Sequence, residues 1–171
     1  MRVLSLFSLL VFTFLLCGLQ TTLWTQFFSG IVAPLLWLNL VVYLTIERTT
    51  FTALAQIYCV AVVVSTFTVM PLGILFFTLF ILFWIMHFVR TRIYWSGSLY
   101  FAFMCFIGIS CYHLVYIFTS YIFENNSTGL LFFDRFIQII LTPLFSFWMY
   151  SALKKLDFWL RVTNPELEGL D

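Results

Sequence analysis

Charged side chains are scarce in this chain. Only 9% of its 171 residues are Asp, Glu, Lys or Arg, whereas 63% are hydrophobic and 22% aromatic. A soluble domain carries about 25% charged residues, so a water-soluble globule of this composition would expose large apolar patches and associate. The same hydrophobicity excludes intrinsic disorder. A net charge of +1 leaves no electrostatic footprint for nucleic acid, which is therefore not an expected partner. The length leaves room for one domain, and its solvent is a bilayer.

Motifs that carry chemistry are also missing. There is no H-E-x-x-H, no P-loop, no Gly-rich phosphate loop and no nucleophile motif. Cys17, Cys59, Cys105 and Cys111 lie in apolar runs without a C-x-x-C pair, and read as small buried hydrophobes. Ionisable residues deep in apolar runs mark pumps and proton relays. Here Glu47, Arg48, Arg90, Arg92, Glu124, Asp134, Arg135, Lys154, Lys155 and Asp157 all fall at or near the ends of such runs. Glu47 with Arg48, and Asp134 with Arg135, read as neighbouring pairs or interfacial anchors. Proton- or ion-coupled transport is thereby disfavoured. The histidines fail as a haem pair. His87 lies three residues before Arg90, whereas His113 lies 18 residues beyond Trp95, roughly 27 Å deeper at 1.5 Å per residue. No cofactor, metal site or catalytic residue is expected, and the chain reads as a non-enzyme.

What the sequence does contain is long uncharged runs. Residues 3–46 and 49–89 are each long enough for two spans of ~20 residues. The expected fold is all-α and polytopic, with six transmembrane helices at about 3–19, 31–46, 50–69, 71–89, 95–123 and 134–153. They form a single domain, 1–161, followed by a short tail, 162–171. The polar cluster Gln20–Gly30 reads as the first turn, with Trp24 at the membrane interface and Pro34 near the start of the second helix. Met70-Pro71-Leu72-Gly73 marks the next turn, with Pro71 just inside the fourth helix. Tyr94 and Trp95 read as interface anchors, Glu124 through Gly129 as a turn, and Pro143 as a kink in the last helix. The first run, lacking an A-x-A-like site after it, reads as a retained signal-anchor helix.

Six spans put both termini on one side. Arg2, Arg48, Arg90, Arg92, Lys154, Lys155 and Arg161 share that side against Arg135 alone, so the positive-inside rule makes it cytoplasmic. Arg48, Arg90, Arg92, Lys154, Lys155 and Arg161 then form a cytoplasmic basic face. It either meets anionic membrane lipid or an acidic partner, or only sets topology. Within the spans, Asn39 and Gln56 are costly in lipid and must face protein. Each lies about eight residues from the Glu47–Arg48 boundary, so the matching depth suits either a hydrogen-bonded pair between the second and third helices or contact with a partner helix. His113 is the remaining deep polar candidate, as a hydrogen-bonded packing residue or a functional one.

The order of these features resembles the rod shape-determining protein MreD family, small bacterial membrane proteins with six helices and both termini inside. Three motifs carry the resemblance. They are Pro34-Leu35-Leu36-x-Leu38-x-Leu40-x-x-Tyr43, the stretch from Ala61 to Met70-Pro71-Leu72-Gly73, and Thr142-Pro143-Leu144-Phe145 followed by Leu153-Lys154-Lys155-Leu156. Where the family often has Gly-x-x-x-Asp in the third helix, this chain has Ala61 and Ser65. The resemblance implies a non-enzymatic scaffold in the bacterial inner membrane that binds an MreC-like bitopic protein, in a complex with the RodA–PBP2 peptidoglycan synthase and the MreB filament. It also implies a fold similar to the S-components of energy-coupling-factor vitamin transporters. A vitamin-binding S-component is the second reading, although the first helix lacks that class's Ala-x-x-x-Ala face. A membrane enzyme or redox subunit is the third; it needs a histidine pair or carboxylate cluster that the sequence does not offer.

Overall fold

The computed structural model describes residues 3–28, 30–68, 70–93, 97–123 and 132–159, and every regular element among them is helical. Arg2, Tyr94, Trp95, the turn at 124–129, Arg161 and the tail 162–171 lie outside the described residues.

Helix α1 runs Val3–Gly18, continues through a π-helical turn, Leu19–Leu23, and ends with Trp24–Phe27. Gly18 and Leu23, at the two joints, keep right-handed helical backbone. The break expected from Gln20 onward is therefore displaced to the end of this helix. The hydroxyls that made the stretch look like a loop explain the difference. Thr21 donates to the Cys17 carbonyl at 2.8 Å, Thr22 to that of Gly18, and Thr25 to that of Thr21 at 2.8 Å. Hydroxyls satisfied one turn back let a polar run stay helical.

After a non-helical stretch at 31–35 come α2 (Leu36–Glu47), α3 (Thr50–Ser65), α4 (Leu72–Arg92), α5 (Ser98–Phe123) and α6 (Phe132–Trp159). Pro34 stands outside α2, which starts only after Leu35, whose backbone at φ −82° and ψ 75° is non-helical. Pro71 caps α4 from just outside, and α6 continues across Pro143 to Trp159. Lys154, Lys155 and Asp157 therefore sit on a helix.

Among the described residues there are six helices, but only four are long and apolar enough to cross a membrane: Leu6–Phe27, Leu72–Arg92, Ser98–Ile122 and Phe133–Trp159. With 12 and 16 residues, α2 and α3 reach roughly 18 and 24 Å, short of a hydrocarbon core of about 30 Å. For α2 the reason is its position. Every residue from Trp37 to Ile46 is buried, and α2 packs against each of the other five helices. A helix sheathed by protein on all sides need not match the bilayer's thickness. It is also largely apolar all round, as buried helices are, with Asn39 and Thr45 as its buried polar residues. Gly108 of α5 allows a close approach, since a Cβ there would stand 2.9 Å from Val42 Cγ2. Small residues admit neighbouring backbones in this way. The outer surface is aromatic, with Phe7, Phe14, Phe77, Phe103, Phe118 and Trp148 exposed.

Candidate functional site

Polar side chains in the bundle gather along the seam between α2 and α6. Leu35, just before α2, meets Thr142, while Arg48, just after it, meets Asp157. The two helices therefore run in the same direction and are tied at both ends.

One end is ionic and basic. Asp157 is the hub. It accepts a hydrogen bond from Tyr43 Oη at 2.6 Å and forms an ion pair with Arg48, whose side chain is only 10% exposed. Beside it, Lys154 Nζ lies 2.9 Å from Glu47 Oε1 and 5.6 Å from the Tyr150 ring centroid. Arg90 reaches across from α4 and donates to the carbonyls of Thr45 (3.0 Å) and Arg48 (3.3 Å). The last carbonyls of a helix have no partner within it, and a cation there also complements the helix dipole. Arg90 thus caps α2 from a neighbouring helix. Three helix C-termini, those of α2, α4 and α6, are stitched together.

The opposite end uses mostly neutral groups, and their target is the non-helical backbone at 31–35. Gln138 donates to the Ala33 carbonyl at 3.1 Å, Thr142 Oγ1 accepts from Leu35 N–H at 3.1 Å, and Trp24 Nε1 donates to the Ile31 carbonyl at 2.9 Å. Irregular backbone at membrane depth persists only where protein satisfies its polar groups, and these three side chains do so. Asn39 donates to the Thr142 carbonyl at 3.1 Å, leaving its buried Oδ1 without a hydrogen-bond partner. On α5, His113 Nδ1 lies 3.1 Å from Arg135 NH1, and the Arg135 guanidinium lies 5.1 Å from the Tyr116 ring centroid. A guanidinium only donates, so His113 Nδ1 accepts and the ring proton resides on Nε2. That buried Nε2 has no partner.

The structure separates several residues that sequence proximity had paired. Asn39 bonds α6 rather than Gln56, and the buried Gln56 Oε1 has no partner. The face of α2 that carries Asn39 is turned toward α6, which overrides the matching depth on α3. Glu47 and Arg48 do not pair with each other but take Lys154 and Asp157 respectively. Arg48 leaves α2 in extended backbone, φ −112° and ψ 156°, so the two neighbours reach residues one turn apart on α6. Arg135 engages His113 instead of Asp134. Of the basic face, Arg48, Arg90 and Lys154 join the stitched cluster, Arg92 lies over the Phe88 ring at 5.6 Å, and Lys155 is exposed. His87 stacks on Phe83 at 5.8 Å, apart from the partners of His113. The roles of Asp157, Tyr43 and Thr142 were not read from the sequence. Asp157 is an acid in a stretch otherwise noted for lysines, and that isolation was the available signal.

Among the described residues no three His, Cys, Asp or Glu side chains come together, and the four cysteines are free thiols. The fold and its seam define a helical membrane protein built around a short, buried central helix. No family model, no curated protein and no solved structure matches the chain.

Proposed function

We propose that this chain is a non-enzymatic membrane scaffold of the MreD kind, embedded in the bacterial inner membrane with both termini and the basic end in the cytoplasm. It works by presenting helix surfaces to an MreC-like bitopic protein, and through it to the RodA–PBP2 synthase and the MreB filament. The observation that supports this most is the use of its charges. Asp157, Arg48, Glu47, Lys154 and Arg90 are engaged in holding helices to one another, while the outer surface is apolar and aromatic. A scaffold needs a rigid body with lateral surfaces, and this arrangement supplies both. Co-purification at native expression tests the reading. An MreC-like partner is expected to accompany the chain, and its clean absence would remove the proposal. A phosphatase fused at the C-terminus is expected to be inactive; activity would overturn the orientation.

The buried, unpartnered Asn39 Oδ1 and His113 Nε2 favour one second reading, a small-molecule-binding subunit like an S-component. They are an acceptor and a donor that a ligand would satisfy. A ligand that binds only the native state raises its stability, so a thermal shift with one member of a vitamin panel would select this reading over the first.

A further inference from the structure

The basic end holds a feature that shares only Lys154 and the Tyr150 ring beneath it with the stitched cluster. A cavity of 510 Å³ lies between the start of α5 and the last turns of α6, lined by Ser98, Tyr150, Ser151, Lys154, Lys155 and Phe158. Five of these six residues fall on one stripe of α6, at helical spacing. The sixth, Ser98, is the first residue of α5, whose leading N–H groups have no partner within the helix. Just before it Gly97 adopts φ 125°, and a Cβ placed there would meet nothing within 4 Å, so this wall is open.

Charge defines the occupant. Among the described residues, the basic end carries Arg48, Arg90, Arg92, Lys154 and Lys155 against Glu47 and Asp157. Both acids are already engaged, Asp157 by Arg48 and Glu47 by Lys154. Lys155 has no ion pair among the described residues and faces the cavity. Lys154, which already pairs with Glu47 and keeps further N–H donors, two serine hydroxyls and a helix N-terminus stand with it, which is a donor set for a phosphate group. The remaining walls are aromatic. Both bounding helices are long and apolar enough to cross a membrane, so the groove opens where they leave the hydrocarbon. Exposed Phe51, Phe88, Phe158 and Trp159 ring the same end, as aromatic side chains do at headgroup depth.

We propose that this groove holds one anionic phospholipid, its phosphodiester on Lys155, Lys154 and Ser98 and its acyl chain along Phe158. The inference goes beyond the scaffold reading and stands without it. The whole chain, purified in a neutral detergent, is titrated with phosphatidylglycerol or with phosphatidylcholine of the same acyl chains, and bound lipid is counted by native mass spectrometry. Phosphatidylglycerol is expected to bind preferentially. Lys155→Gln is expected to weaken it about fivefold, the worth of one interfacial lysine. Ser151→Trp, which fills the groove without changing charge, should weaken it at least as much. Arg92→Gln, which removes a charge from the same end but not from the groove, should leave it within about twofold. Equal losses in Lys155→Gln and Arg92→Gln would overturn the proposal in favour of diffuse surface charge. Equal binding of phosphatidylcholine, or displacement of phosphatidylglycerol by inorganic phosphate, would also overturn it, the latter in favour of a soluble phosphate.

Discussion

The two ends of the α2–α6 seam solve the same problem with different chemistry. At the basic end the ties are ionic: Asp157 takes Arg48 and Tyr43, Glu47 takes Lys154, and Arg90 caps α2. At the other end Gln138, Thr142 and Trp24 hold non-helical backbone; both ends keep buried polar atoms unpartnered, Arg48 Nε at the first and Asn39 Oδ1 and His113 Nε2 at the second. Charges are tolerable where helices leave the membrane and water or headgroups lie close. At the opposite end, backbone groups are satisfied mainly by amide, hydroxyl and indole. The contrast teaches that polarity in this protein is spent on assembly of the fold, first on locking helix ends and second on supporting a short central helix.

The comparison breaks most visibly at Asp157. Replacing it with Leu leaves Arg48 buried and unpaired, and losing one partner of such a pair costs about 3–5 kcal/mol. Thermal unfolding of the purified protein is expected to show the largest drop here. Gly108→Val probes another face of α2, its contact with α5, where packing rather than polarity acts. Its side chain would press on Val42, which lies 2.9 Å from the Cβ position, and overpacking of this kind costs about 2 kcal/mol. A loss as large as that of Asp157→Leu would mean that packing outweighs the ionic lock. His113→Phe tests the opposite end. It removes the bond to Arg135 but also an unpartnered donor, so a loss of only about 1 kcal/mol is expected. Smallest is Glu47→Gln, because Lys154 is 45% exposed although Glu47 itself is only 14% exposed; a pair open to water on one side is worth about 0.5 kcal/mol. A drop there matching that of Asp157→Leu would erase the distinction between the two ion pairs.

Much of this architecture was legible from charge placement alone. The long uncharged runs marked six helices, four of them long and apolar enough to span a membrane among the described residues. What misled was the meaning of polar residues inside runs. Thr21, Thr22 and Thr25 looked like a loop, yet each hydroxyl bonds a carbonyl of its own helix, which no composition count reveals. Leu36–Glu47 looked like an ordinary span, yet its residues are buried all round and it stops short. An apolar helix facing lipid and one facing protein have the same composition, so hydropathy cannot separate them. Asn39 and Gln56 matched in depth, but depth does not fix azimuth, and a helix turned by one residue changes the neighbour it addresses. The site at Asp157 was hidden for a related reason: its partners Tyr43 and Arg48 lie more than a hundred residues away in sequence. Only the parallel packing of α2 and α6 brings them together.

The central claim is that charge at the basic end exists to lock α2 against α6. A double-mutant cycle on Arg48 and Asp157 tests it most directly. Arg48→Met and Asp157→Leu are measured singly and together by unfolding of the intact chain. If the lock is structural, each single change is strongly destabilising. The double variant, having no uncompensated charge, then recovers most of the loss, as an apolar replacement of a buried pair does. Strictly additive losses would contradict the account, because the two side chains would then be acting apart.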